Sequence, residues 1–265
     1  MAKLGAFVMS DGFLDERSYL PFELSKLPEG PWLILAPHAD DESFGMGGTL
    51  ILAADADVKR YIVFMTDGAK GGDADSRKNE ALLAGEMLGV SNVFFLGESD
   101  RSLYPNFENT QFVADMIKKF QIKSLFFPHP MEAHPDHRAT ASIAWEALRQ
   151  IQFLAAGYSY EVSSQGVVNM LIDITSVMKR KKKLMSIYES QLSQNNYSDV
   201  IKAINKTRTW SLAKEVEYAE AFYRWQKTDK NLATALMRET KKIYSYAGIP
   251  CLCKRGIDWF KRVFR

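Results

Sequence analysis

The sequence predicts an α/β protein: a Rossmann-like, mostly parallel sheet flanked by helices, with a helical extension at the C-terminus. Two observations carry this expectation. Short apolar runs at 32–36, 61–65, 93–96 and 125–127 alternate with longer stretches whose apolar residues recur at helical spacing, and that alternation builds parallel sheets. Two of the runs are followed closely by clusters of His and Asp, which puts polar chemistry at the carboxyl ends of strands, where open α/β sheets bind ligands.

The run Trp32-Leu33-Ile34-Leu35-Ala36 reads as a buried strand. After the polar cluster at 38–42, Gly45, Gly47 and Gly48 form a turn into a helix over 49–54. These glycines faintly resemble a dinucleotide fingerprint, but the carboxylates beside them would repel a pyrophosphate, so a nucleotide site is rejected. Glycine here instead lets a helix backbone pack close to the sheet. Residues 61–65 make the second strand, and the glycine-rich loop at 66–72 can border a site. A helix over 79–88, a strand over 93–96, an amphipathic helix over 112–120, a strand over 125–127 and a helix over 139–154 follow.

Residues 167–174 read as a later strand and 176–190 as a helix carrying the basic run 179–183. That run is taken as a solvated face, with attraction of a phosphorylated or membrane-borne substrate as the alternative. Residues 211–225 read as helical, with Ala219, Phe222 and Tyr223 at packing intervals. The organisation expected is a catalytic α/β domain over 1–225 and a basic, aromatic helical extension over 226–265.

At 265 residues and 46% hydrophobic content the chain can bury a full core. A formal charge of +2 does not suggest a nucleic-acid binder. Cys251 and Cys253, the only cysteines, make neither a disulfide framework nor a structural zinc site, and a reducing cytoplasm suits them. No apolar stretch approaches the roughly 20 residues needed to span a bilayer, and the N-terminus lacks a signal core. The tail at 251–265 mixes Trp259, Phe260 and Phe264 with basic groups. It can dock on the domain, or contact an anionic membrane at its inner face.

The chemistry concentrates in His38-Ala39-Asp40-Asp41-Glu42 and His134-Pro135-Asp136-His137. Three of the four histidines, His129, His134 and His137, lie in one segment, and the fourth, His38, begins the other cluster. A hydrolytic zinc needs about three protein ligands and one open position, which imidazoles and a carboxylate supply. Asp40 and Asp41 cannot point the same way, so one can chelate while the other handles a proton. On a helical turn His134 and His137 share a side, and one ring can bind metal while the other faces substrate. Each cluster alone could be a polar turn or helix cap; their pairing favours a site.

These motifs resemble the LmbE-like zinc deacetylases, the family that includes N-acetylglucosaminyl-phosphatidylinositol de-N-acetylases and the deacetylases of bacterial thiol biosynthesis. The family shows His-Pro-Asp-Asp-Glu and His-Pro-Asp-His elements; here only the first proline is replaced, by Ala39. Similarity extends over about residues 30 to 175. The resemblance implies that His38, Asp41 and His137 hold Zn2+, with Fe2+ as a competitor for the same ligands. It also implies that Asp40 is the general base and that His134 stabilises the oxyanion or protonates the leaving amine. Arg77 and Asp100 would contact the sugar, Glu42 would support the first motif, and Asp136 would orient His134.

The activity implied is removal of acetyl from an N-acetylated amino sugar in a glycan, glycolipid or sugar conjugate. A metal-dependent phosphoester hydrolase and a non-catalytic glycan-binding module are the alternatives, and a homo-oligomer is compatible with the sequence.

Overall fold

The computed structural model describes residues 20–228 and 231–245. The elements run β1 (Trp32–Ala36), α1 (Asp41–Asp55), β2 (Arg60–Thr66), α2 (Ala74–Leu88), β3 (Asn92–Glu98), α3 (Phe107–Lys119), β4 (Ser124–Pro128), α4 (Pro135–Gln150), β5 (Ala156–Tyr160), β6 (Met170–Asp173), α5 (Met178–Met185), α6 (Glu189–Leu192), α7 (Tyr197–Thr207), β7 (Ala219–Arg224) and α8 (Leu232–Ser245). They form one seven-stranded sheet of order β3-β2-β1-β4-β5-β7-β6. Strands β1 to β5 are parallel, and β7 runs antiparallel between β5 and β6.

Alternation along the central strands feeds two apolar cores, one on each face of the sheet. Trp32, Ile34 and Ala36 enter one with Ile62 and Phe64; Leu33 and Leu35 enter the other with Val63 and Met65. A strand buried on both faces must be apolar throughout, which is why β1 reads as an unbroken run. After β3 the chain returns to place β4 against the free edge of β1, pairing Ile34 with Phe126. The carboxyl ends of β1 and β4 therefore flank the point where strand order reverses, the position that opens a crevice in such sheets.

Several sequence expectations need correction. Residues 211–225 are not helical: they form turns and then β7, all of whose residues but Arg224 are buried. A strand covered on both faces shows no period of two, and the 219, 222, 223 spacing imitated a helix. Strand β5, broken in sequence by Gly157 and Ser159, had no apolar run to announce it. The helix at 139–154 ends at Gln150, after which Gln152 and Phe153 take positive φ. Helix α1 starts at Asp41, eight residues ahead of the expected 49, and kinks at Met46. The single helix expected over 176–190 is divided into a 3-10 turn, α5 and the start of α6.

The kink in α1 explains a buried ion pair. Breaking the helix at Met46 frees the N–H groups of Gly48 and Thr49, and Glu220 of β7 accepts both, at 2.8 and 2.6 Å. Lys181 balances that carboxylate at 2.7 Å and also donates to the Phe44 carbonyl and to Asn205. Within the basic run Lys181 is thus fully buried, while Lys179, Arg180, Lys182 and Lys183 are exposed as expected. Glycines on either side of the kink bring α1 against its neighbours. A Cβ on Gly45 would lie 2.5 Å from the Tyr160 ring, and one on Gly48 would lie 2.7 Å from Ile174.

Helix α8 falls in the expected C-terminal extension, and its Ala235 is buried in the second core. Among the described residues no helix is long and apolar enough to cross a membrane. Cys251, Cys253, Trp259, Phe260 and Phe264, like the N-terminal segment read for a leader, lie outside the described residues.

Candidate active site

Each motif leaves its strand through a pinned turn. Beyond β1, the Pro37 carbonyl accepts both the N–H and the hydroxyl of Thr66, at 3.0 and 2.9 Å, and the Tyr160 hydroxyl donates to the Leu35 carbonyl. Asp40 then adopts φ 134° and ψ −33°, a conformation that L residues rarely hold, at a cost of about 1–3 kcal/mol. Its surroundings enforce it. The Asp40 carbonyl accepts from Ser43 and Phe44 N–H at the start of α1, its own N–H donates to Glu42, and Arg77 donates to the Ala39 carbonyl at 2.9 Å. Glu42, fully buried, also accepts from the hydroxyls of Ser43 and Tyr188. It braces the turn, as expected, and also a distant helix-flanking tyrosine.

The second motif opens α4, with Pro135 in the first turn and His134 as its cap. His134 Nδ1 accepts the Asp136 N–H at 3.2 Å, which fixes the ring against the helix end. Because β1 and β4 are neighbours, the imidazoles of His38, His134 and His137 come together, with centroids 4.6 to 5.5 Å apart.

The carboxylates complete the cluster. Asp41 Oδ2 lies 3.1 Å from His38 Nδ1 and 3.3 Å from His137 Nε2. On the opposite edge of His38, Nε2 lies 3.2 Å from Asp136 and 3.5 Å from Asp100. Asp136 is nearer to His38 than to His134, whose Nδ1 is 3.9 Å away; the orienting role expected toward His134 is therefore directed more to His38. Behind His137, Glu132 Oε2 sits 3.8 Å from Nδ1. Glu132 also accepts from the backbone of Val162, Ser163 and Ser164 and from the Ser163 hydroxyl, pinning a segment that walls the pocket.

Electrostatics follow from this crowding. Burial works against a proton on His38, but hydrogen bonds to Asp100, Asp136 and Asp41 outweigh it and push its pKa up to about 12. Burial would raise Asp41, yet the two imidazoles hold it well below the usual carboxylate range. Asp40 goes the other way: burial and the charge of Asp41 raise it well above that range, against the pull of Arg77 at 3.6 Å. His134 is lowered, by burial first and then by its imidazole neighbours, which favours its neutral form.

Among the described residues, two overlapping groups could hold a metal ion: His38, His134 and His137, and His38, Asp100, His134 and Asp136. The atoms of His38, Asp41 and His137 also converge, through Asp41 Oδ2. A dication fits this donor set. The proton that three carboxylates impose on His38 marks where positive charge belongs, and in the second group the buried Oδ1 atoms of Asp100 and Asp136 lack hydrogen-bond partners. Imidazole and carboxylate together suit zinc or iron(II).

All seven residues expected to touch metal or substrate, His38, Asp40, Asp41, Arg77, Asp100, His134 and His137, line one cavity of about 640 Å3. Arg77 is only 3% exposed, and its guanidinium is engaged by the carbonyls of Gly68 and Ala39. Asp100 accepts the Lys70 N–H. Three features escaped sequence reasoning: Glu132, the Glu42–Tyr188 contact, and the far wall built from Gln191, Gln194, Asn195, Asn196 and Tyr197. Only Glu132 had a signal, as a carboxylate inside the histidine-rich segment.

Residues 33–148 match the family described as PIG-L, GlcNAc-PI de-N-acetylase. The diacetylchitobiose deacetylase of Thermococcus kodakarensis is 26% identical over 188 residues, which cover 62% of this chain and 70% of that protein. A probable N-acetyl-alpha-D-glucosaminyl L-malate deacetylase 2 of Bacillus cereus is 31% identical over 126 residues, 40% of this chain; the match spans 56% of that relative's length. Among solved structures, the N,N'-diacetylchitobiose deacetylase of Pyrococcus horikoshii superposes with a TM-score of 0.66 at 26% identity, covering 74% of this chain and 84% of that one.

Proposed function

We propose that this chain, whose residues 33–148 match the PIG-L family and whose motifs resemble the LmbE-like deacetylases, is a metal-dependent N-deacetylase acting on an N-acetylated amino-sugar conjugate. The observation that carries the reading is Asp40: a strained carboxylate on the cavity wall beside His38, Asp41 and His137, its pKa raised by burial and by the charge of Asp41. Zinc held by those three residues would supply a Lewis acid for the amide carbonyl and an acidified water, and iron(II) could serve the same ligands.

The chain's own groups divide the remaining work. Asp40 accepts a proton from the attacking water, and its raised pKa lets it keep that proton until the amine departs. His134 Nδ1 accepts a backbone N–H, so in the neutral ring the proton resides on Nε2. That N–H is then available to the oxygen that becomes negative as water adds to the acyl carbon. When the C–N bond breaks, acetate leaves and the amine takes the proton returned by Asp40. Arg77 fixes Asp40 through the Ala39 carbonyl, and Asp136 and Asp100 hold the Nε2 proton of His38 so that Nδ1 is free for metal.

A phosphoester hydrolase with two metals is less well supported, because the two candidate ion groups share His38 and His134. A glycan-binding module would not need a strained base at this position. The test is mass spectrometry of metabolite extracts incubated with the active protein and with Asp40→Asn. A species losing an acetyl-sized mass only with the active protein supports the reading; identical extracts overturn it.

A further inference from the structure

The cavity has a charge asymmetry that deacetylation does not require. Its carboxylates, Asp40, Asp41 and Asp100, are at most 8% exposed and gather around the histidines. At the mouth, Lys70 and Arg101 also line the cavity, and both are exposed. Neither side chain takes part in an ion pair or hydrogen bond among the described residues. The nearby exposed carboxylate of Asp67 accepts from the backbone of Ala69 and Asp100 and does not line the cavity. The facing wall is uncharged, made of Gln191, Gln194, Asn195, Asn196, Tyr197 and Val200.

Both cations are built in rather than merely nearby. The Lys70 N–H donates to Asp100 at 3.0 Å and the Arg101 N–H donates to Asp136 at 2.7 Å. These are the two carboxylates that face His38 Nε2, so each cation's backbone is fixed to the group that orients the metal ligand. Arg101 accepts a left-handed φ of 61° in this position. The Lys70 loop is held from the far side as well, since Gln191 and Gln194 both donate to the Gly71 carbonyl. The result is two anchored backbones and two free cationic heads at the rim of a reacting site. A guanidinium and an ammonium so placed recognise multi-oxygen anions.

Resting on the deacetylase reading, we propose that Lys70 and Arg101 are specificity-determining residues for an amino-sugar substrate that carries an anionic group, a phosphate diester or a carboxylate, on the part that projects from the sugar toward the pocket mouth. The amide wall then meets the sugar hydroxyls.

The test uses the full-length, metal-loaded protein and three N-acetylglucosamine glycosides, with a methyl, a methyl phosphodiester or a lactyl carboxylate substituent at the anomeric position. The anionic glycosides should be preferred in kcat/KM by at least about tenfold, mainly through KM, and the preference should weaken with added salt. In the double variant Lys70→Gln/Arg101→Gln the ratio of anionic to neutral turnover should collapse toward one. A wild-type protein without preference, or a variant that retains it, overturns the proposal. The two anionic arms identify which anion is taken. If none of the three is turned over, the metabolite-extract comparison decides the deacetylase reading, and calorimetric binding of the same glycosides decides the anion site alone. Tighter binding of an anionic glycoside that the double variant loses upholds it; equal binding or none overturns it.

Discussion

Arg77 Nη2 lies 3.6 Å from Asp40 Oδ2 while the same guanidinium donates to the carbonyls of Ala39 and Gly68. One buried arginine thus sets both the conformation and the charge of the proposed base. In Arg77→Gln the opposing positive charge is gone, so the Asp40 pKa should rise further and the acidic limb of the kcat/KM profile should move to higher pH. A drop of about 100-fold in kcat is expected at neutral pH. Arg77→Lys should restore the limb's position more than the rate, because it keeps the charge without the two-carbonyl fork. An unmoved limb in Arg77→Gln would detach Arg77 from Asp40.

Glu132 stands behind His137 as Asp136 stands behind His38. Replacing it by Gln removes the negative charge facing the buried Nδ1 while keeping the side chain's shape. Affinity for zinc should fall by roughly 10- to 100-fold in competition with a chelator. Unchanged metal affinity, together with unchanged folding, would leave Glu132 as a loop anchor only.

Lys181 and Glu220 form a buried pair with further hydrogen bonds on both sides. Lys181→Met strands the carboxylate and should destabilise the protein by about 3–5 kcal/mol in urea unfolding. Adding Glu220→Gln should recover part of the loss, since an amide can still accept one of the α1 N–H groups. Equal stability of Lys181→Met and wild type would refute the role assigned to this pair.

His129 is 1% exposed, and burial, followed by the charge of Arg208, lowers its pKa from 6.5 to about 4. Its folded form is the neutral one, whereas the unfolded chain takes up a proton below pH 6.5. Its contribution is complete above pH 6.5 and is lost as pH falls through 4, up to roughly 3 kcal/mol. Urea unfolding between pH 7 and 4 should show this slope, and His129→Gln should flatten it. A slope that persists in the variant belongs to another group.

How much could be read in advance varied with burial and distance. The strands around the crevice were legible because Trp32–Ala36 and its neighbours are covered on both faces and so are continuously apolar. The same condition hid β7, where Glu220 interrupts the run with a charge whose partner, Lys181, lies 39 residues away. The motif residues were legible because each cluster is local in sequence and adjacent strands bring the two together. The roles of Glu132 and Tyr188 depend on where α4 and the segment after α5 settle in space, which no local pattern states. Asp136 could be placed near the histidines from its neighbours, but its preference for His38 is set by the β1–β4 pairing.

The central claim is that Asp40 moves the proton in a reaction supported by one metal ion on His38, Asp41 and His137. Acetate release normalised to bound metal, compared between wild type and Asp40→Asn on a substrate identified from extracts, tests it most directly. The expected result is about one metal per chain in both proteins and a loss of roughly 100- to 10,000-fold in rate for the variant. Equal rates per bound metal, or a wild-type protein that turns over without metal, would contradict it.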